Sequence, residues 1–119
     1  MTDGETFAVV GVSANPAKFG WRIFADLTRS GRRVYGIGRG AAGADGTKLY
    51  ASLAGLPLVP DTVIVVVPPA QAVEIVRQCA ALGVKQVWLQ PGSESDEAMA
   101  AGKGMKVFCA CYMVRNGIW

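Results

Sequence analysis

The sequence predicts an α/β fold: a doubly wound parallel sheet of five strands in the order 3-2-1-4-5, in a single domain spanning residues 1–119. Three observations predict it. Thr62–Val67 (TVIVVV) is a continuous β-branched run, apolar on both faces, which suits a parallel sheet covered by helices. Strand-like runs alternate with segments of helical period along the chain. Gly31 and Gly83 follow the two longest helical segments as stops, and Pro68-Pro69 ends the apolar run. Right-handed crossovers then select the strand order.

The elements follow in chain order. Residues 1–6 are polar and are expected at the periphery, as are residues 115–119. Phe7–Val10 reads as the first strand. Over Ala17–Ser30, Phe19, Ile23, Phe24 and Leu27 recur at helical spacing. Arg33–Ile37 is the second strand, and the glycine-rich residues 38–47 form a loop. Leu49–Leu56 suits a short helical turn around ASLAGL. Thr62–Val67 is the third strand and Gln71–Leu82 the second full helix. Gln86–Leu89, Asp96–Ala101 and Lys106–Ala110 complete the pattern as strand, short helix and strand. Ser93 or Ser95 is placed to cap that short helix. The last eight residues, YMVRNGIW, have no clear period.

Bulk properties exclude several function classes. A net charge of +3 on 119 residues implies no large nucleic-acid footprint. The three tryptophans, Trp21, Trp88 and Trp119, form no aromatic ladder for single strands. The longest apolar run, from Val63 into Pro68-Pro69, is too short to span a membrane, and a soluble cytoplasmic protein is expected. Cys79, Cys109 and Cys111 show no metal spacing. On one strand face Cys109 and Cys111 would have α-carbons roughly 6.5–7 Å apart, at the limit of a disulfide, so reduced thiols are the simpler expectation. The chain contains no histidine, which removes Ser-His and Cys-His pairs and histidine metal ligands together.

In a doubly wound sheet, ligands bind beyond the carboxyl ends of the strands. That expectation gathers GVSANP, GIGRG, VPP and LQPG around one crevice beside the first strand. VVGVSANPAKFG, residues 9–20, resembles a dinucleotide turn with Ser13 and Pro16 at the second and third glycine places. Gly11 suits a tight turn off the strand, and Ser13 and Asn15 supply polar side chains. Asn15-Pro16 reads as an N-cap followed by proline at the first helical position. A helix N-terminus there offers N–H groups to an anion, although a plain helix-capping turn would read the same way.

The second tip discriminates better. A site for NAD usually carries an acid at the end of the second strand, to hold the ribose 2′-hydroxyl. Here the residues are Gly36-Ile37-Gly38-Arg39-Gly40. A guanidinium suits a ribose phosphate, which points to NADP or coenzyme A, with a solvated loop arginine as the plain alternative. Lys18 and Arg22 would add positive charge on the same side. Val67, Pro68 and Pro69 would form a stiff apolar wall, with strand termination as the plain alternative for Pro69.

Catalytic candidates are few, and none is assigned. Glu94, Asp96 and Glu97 read as an ordinary acidic helix start. Ser93 has no base partner in sequence. Cys111 lies just past the fifth strand, near the expected crevice, where it could serve thiol chemistry or simply fill the core.

These residues together resemble the small CoA-binding-domain family, relatives of the N-terminal domain of the succinyl-CoA synthetase α subunit. The matching pieces are VVGVSANPAKFGWRI, SGRRVYGI, SLAGLP before Asp61, VIVVVPP, ALGVKQVWLQPGSES and CYMV, roughly residues 7–114. The resemblance implies a Rossmann-like fold holding the CoA nucleotide. Gly11 and Ser13 would lie at the phosphates, the Gly38-Arg39 tip near the ribose and adenine, and Val67-Pro68-Pro69 along the pocket. It also implies that the ligase's catalytic machinery lies outside this domain. The second-strand tip departs from the family's V-x-P-V-N-P-like run, with Gly38 and Arg39 in place of Asn and Pro.

The expected function is therefore a module that binds coenzyme A or acyl-CoA without catalysis of its own. The cofactor-binding candidates are Gly11, Ser13, Asn15, Lys18, Arg22, Gly38, Arg39, Val67, Pro68 and Pro69. The alternatives are a minimal NADP-dependent oxidoreductase and a thiol-based redox or interaction protein acting through Cys111. A homodimer or a larger acyl-CoA enzyme would be the partner.

Overall fold

The computed structural model describes residues 5–40 and 42–119. Ala41, in the expected 38–47 loop, and residues 1–4 lie outside the described residues. Six parallel strands form one sheet: β1 (Thr6–Val10), β2 (Arg33–Ile37), β3 (Leu49–Tyr50), β4 (Thr62–Val65), β5 (Gln86–Leu89) and β6 (Lys106–Cys109). Their order is β3-β2-β1-β4-β5-β6. Four helices connect and cover them: α1 (Phe19–Arg29), α2 (Pro69–Leu82), α3 (Asp96–Ala101) and α4 (Tyr112–Arg115).

The α/β parallel fold is as expected, but the sheet has six strands, not five. The additional strand is Leu49–Tyr50, which pairs with Gly36 and Ile37. The helical turn expected over Leu49–Leu56 shrinks to a 3-10 turn at Leu53–Gly55. The digits 3-2-1-4-5 recur in the observed order, but the third strand is now this short one. The Thr62 run, expected at the edge beyond β2, instead pairs with β1 and β5 in the centre. Burial decides the matter: Thr62–Val65 is buried throughout, as a central strand requires, whereas two residues suffice to cover the β2 edge.

Strand alternation divides the core. Phe7 and Val9 point to one face with Ile64 and Trp88, where α1 contributes Ile23, Phe24 and Leu27 and α4 contributes Met113. Ala8 and Val10 point to the other face with Val63, Val65, Val87 and Leu89, against Val76 and Cys79 of α2 and Ala98 of α3. Full burial of a side chain such as Ile23, Leu27 or Ile64 contributes about 1.5–3 kcal/mol each. The tryptophans are packing residues here. Trp88 stacks on Phe108 at 4.4 Å and meets Tyr112 edge-on, while Trp21 packs against Phe24.

Several boundaries moved. α1 begins at Phe19 with Lys18 as its N-cap, so Asn15 does not cap it. α2 begins at Pro69, because a proline at the first helical position needs no N–H partner. The last eight residues contain α4, whose Tyr112 and Met113 are buried. Glu5 and Thr6, expected at the periphery, are tied down: Thr6 starts β1, its N–H donates to Asp61, and the Thr62 hydroxyl donates to Glu5. Over residues 115–119, the Trp119 indole donates to Asp26 and the Ile118 N–H to the Met113 carbonyl.

Candidate functional site

The carboxyl ends of β1, β2 and β4 frame a crevice of about 690 Å³. Register places it there, because Val10 is paired with Ile37 on one side and Val65 on the other. The chain leaves β1 through Gly11 at φ +109°, a conformation that L side chains rarely adopt. The N–H groups of Gly11 and Val12 both donate to the Ile37 carbonyl, at 2.9 and 3.0 Å. The β1 turn is thereby laced to the tip of β2. Gly38 completes the join: a Cβ there would fall on the Val12 carbonyl oxygen.

The following segment folds on its own side chains. The Asn15 N–H donates to Ser13 Oγ at 3.0 Å, and the Ala17 N–H donates to Asn15 Oδ1 at 2.9 Å. The Lys18 N–H then donates to the Asn15 carbonyl. Ser13 Oγ serves as acceptor in this turn and keeps its own proton for another partner. Asn15 is consumed in shaping the turn.

The structure brings seven of the ten candidate residues to the crevice: Gly11, Ser13, Lys18, Gly38, Arg39, Val67 and Pro68. Asn15, Arg22 and Pro69 are not in its lining. Arg22 points the other way, with its guanidinium carbon 6.0 Å from the Phe19 ring centre and 5.1 Å from that of Trp119. That cation–π arrangement holds it on the outer face of α1. Pro69 begins α2 and faces a separate depression of about 370 Å³ with Val73 and Ser95.

The LQPG tip, expected at the crevice, lies behind it. Gln90 is buried and accepts the Tyr112 N–H at 2.8 Å. Ser93, also buried, donates its hydroxyl to the Val67 carbonyl at 2.6 Å and so braces the crevice wall. Cys111 is likewise outside the lining, at the N-cap of α4. Ser95 caps α3 by accepting the Ala98 N–H, and Glu94 accepts the Gly92 N–H. Among the described residues, no group of three His, Cys, Asp or Glu side chains is placed to hold a metal ion.

Apart from the strand ends at Val10 and Val66, three lining residues escaped the sequence: Ala51, Gln71 and Ile75. Gln71 and Ile75 are one helical turn apart on α2, which spacing alone would have grouped once the helix start at Pro69 was known. Ala51 is placed by β3, which two residues could not announce.

The electrostatics are one-sided. Among the described residues, four polar side chains line the crevice: Ser13, Lys18, Arg39 and Gln71. No carboxylate, thiol or imidazole is among them. The ion pairs among the described residues join Arg29 to Asp26, Arg77 to Glu74 and Lys85 to Asp61, leaving Lys18 and Arg39 without acidic partners there. A cleft with two cations unpaired among the described residues is chemically suited to an anion.

The sequence model of the CoA binding domain matches residues 5–117. The chain belongs to the CoA binding domain family. This CoA binding domain is 33% identical over 81 residues to the α subunit of an ADP-forming acetate–CoA ligase II from Pyrococcus furiosus. That match takes in 67% of the domain but 18% of the ligase subunit, so the chain spans less than a fifth of the curated relative. A solved structure of a conserved hypothetical protein from Pyrococcus furiosus superposes with a TM-score of 0.84 at 33% identity, covering 93% of this domain and 98% of that chain. The apo form of acetyl-coenzyme A synthetase 1 from Ca. Korarchaeum cryptofilum superposes with a TM-score of 0.69 at 27% identity, covering 87% of this domain and 25% of the synthetase chain. No helix among the described residues is long and apolar enough to cross a membrane.

Proposed function

We propose that the chain binds coenzyme A, free or acylated, in the crevice at the tips of β1, β2 and β4, and carries out no chemistry of its own there. The observation that carries the proposal is the charge of that crevice: Lys18 and Arg39 face it, and among the described residues no acid does. The turn at Gly11–Ser13 suits the pyrophosphate through the Ser13 hydroxyl, since the N–H groups of Gly11 and Val12 are already given to the Ile37 carbonyl. Arg39 suits the ribose phosphate. Val66, Val67, Pro68 and Ile75 supply an apolar wall for the uncharged parts of the cofactor. Names of relatives support the same ligand, since an acetate–CoA ligase subunit and an acetyl-coenzyme A synthetase share this domain.

Catalysis by the crevice alone lacks its parts. Its polar side chains include no general base of the usual carboxylate or imidazole type. Ligase activity is not carried over, because the match covers so little of the ligase. A larger acyl-CoA enzyme is the partner this reading favours, with the chain as its nucleotide-holding module.

Arg39 also fits the 2′-phosphate of NADP, which keeps that cofactor as the second reading. Thermal shift and isothermal titration with CoA, dephospho-CoA, NADP and NAD separate the two. Stabilisation follows RT ln(1 + [L]/Kd), so CoA should raise the melting temperature most and NAD least. Equal, negligible shifts with all four would overturn the proposal.

A further inference from the structure

Gln71 is the one neutral amide side chain in a crevice otherwise lined by glycines, aliphatic groups, one hydroxyl and two cations. It projects from the first turn of α2, three residues after Pro68 and four before Ile75, on one helical stripe. Its backbone N–H donates to the Pro68 carbonyl, while its side chain is exposed and has no hydrogen-bond partner among the described residues. The other lining residues of α2 and of the turn leading into it are apolar: Val67, Pro68 and Ile75. Both cations come from other elements, Lys18 from the start of α1 and Arg39 from the tip of β2.

This division has a chemical consequence. An apolar wall with one amide beside it suits a flat, uncharged ring that carries a donor beside an acceptor. Adenine presents that pair, its exocyclic amino group next to a ring nitrogen. A glutamine amide answers both at once, accepting with Oε1 and donating with Nε2. We infer that Gln71 is the specificity-determining residue for the base, reading the adenine edge while Arg39 and Lys18 hold phosphate. The inference rests on the nucleotide reading above and adds to it a residue outside the phosphate-binding turn.

The competing place for Gln71 is along the pantetheine arm, whose amides would use the same side chain. Two halves of the cofactor distinguish them. Adenosine 3′,5′-bisphosphate carries the base without the arm, and 4′-phosphopantetheine carries the arm without the base. NMR titration reads both into the millimolar range, for the wild-type chain and for Gln71→Leu, which keeps the volume of the side chain and removes the amide. Gln71→Ala serves as a second variant, and an unchanged melting temperature certifies the fold of each.

Loss of two neutral hydrogen bonds should weaken adenosine 3′,5′-bisphosphate and CoA about tenfold while leaving 4′-phosphopantetheine unchanged. Unchanged binding of the adenosine ligand in both variants overturns the inference and leaves CoA binding intact. A loss confined to 4′-phosphopantetheine overturns it in favour of the arm. Failure of CoA to bind the wild-type chain overturns the function proposed above, and this inference with it.

Discussion

Gly20, in the first turn of α1, lies so close to Gly11 that a Cβ on Gly20 would fall on the Gly11 carbonyl oxygen. The helix can approach the end of β1 this closely only because residue 20 is a glycine. Gly11 is under the same constraint from its other side, where a Cβ would meet the Val66 carbonyl. In dinucleotide turns the third glycine serves this close packing of helix on strand. Here the role falls four residues beyond Pro16, the place where the motif would put it.

Gly20→Ala should therefore destabilise the protein despite its helical setting. Alanine in place of glycine in a helix gains about 1 kcal/mol of propensity. Overpacking costs up to about 3 kcal/mol, and a backbone oxygen has no rotamer with which to yield. The net loss should be about 2 kcal/mol, seen as a melting temperature lower by roughly 8 °C. Wild-type stability on calorimetry would remove the packing role from Gly20.

Arg39→Ala separates charge from fold. The side chain is exposed and forms no ion pair among the described residues, so the melting temperature of the free protein should not change. CoA binding should weaken about tenfold, as for one charge-assisted hydrogen bond at a solvent-accessible site. Dephospho-CoA should bind both proteins alike. Isothermal titration at two salt concentrations checks the assignment, since the variant should also show a shallower salt dependence.

Ser93→Ala tests the brace behind the wall. Removing the Ser93 hydroxyl leaves the Val67 carbonyl without that donor, at a cost of about 1–2 kcal/mol. Val67 and Pro68 line the crevice, so a few-fold loss of CoA affinity should accompany the loss of stability. Denaturant unfolding and titration together check it. A stability loss with untouched affinity would make Ser93 a purely structural residue.

These three positions show what the sequence could and could not tell. The strands were legible because Thr62–Val65 and Phe7–Val10 are apolar on both faces, and burial in a parallel sheet demands that. The place of Arg39 in the crevice was legible because it follows directly on the β2 tip. β3 was not, because a two-residue strand is defined by its pairing with Gly36 and Ile37 and has no period of its own. The place of the Thr62 strand followed from that miss. Arg22 lies outside the crevice lining because its direction is set by Trp119, nearly a hundred residues away in sequence, through ring contacts no local pattern encodes. Gly20 and Ser93 were missed for the same reason: each acts on a carbonyl brought near by the fold.

Stability should fall in acid partly through Asp61. The Thr6 N–H donates to its carboxylate at 2.9 Å, and this bond, aided by Lys85 at 3.5 Å, holds the Asp61 carboxyl below its ordinary value against partial desolvation. A depressed native pKa stabilises the fold above the unfolded value, and that contribution disappears as pH falls through the native one. Asp61→Ala should therefore cost about 1 kcal/mol at pH 7, and the gap to wild type should close below pH 3.8. Denaturation curves at pH 7 and pH 2.5 measure it; a gap that stays constant would show that the charge of Asp61 is immaterial.

The three cysteines should label at different rates. Cys79 is buried against the α2 face of the sheet, and burial pushes its thiol up to about 12. At pH 8 an ordinary thiol is about a quarter ionised, whereas one titrating near 12 is ionised in roughly one molecule in ten thousand. Cys79 should resist iodoacetamide until the domain unfolds. Cys109 is exposed on β6, but partial desolvation and the nearby Glu94 carboxylate raise its pKa as well, so it should react more slowly than a free thiol. Mass spectrometry of peptides labelled at pH 8, with and without denaturant, reads all three sites at once. Native labelling of Cys79 at the rate of a free thiol would mean that α2 leaves the sheet readily, in conflict with the packing of Val76 and Cys79 on Val63 and Val87.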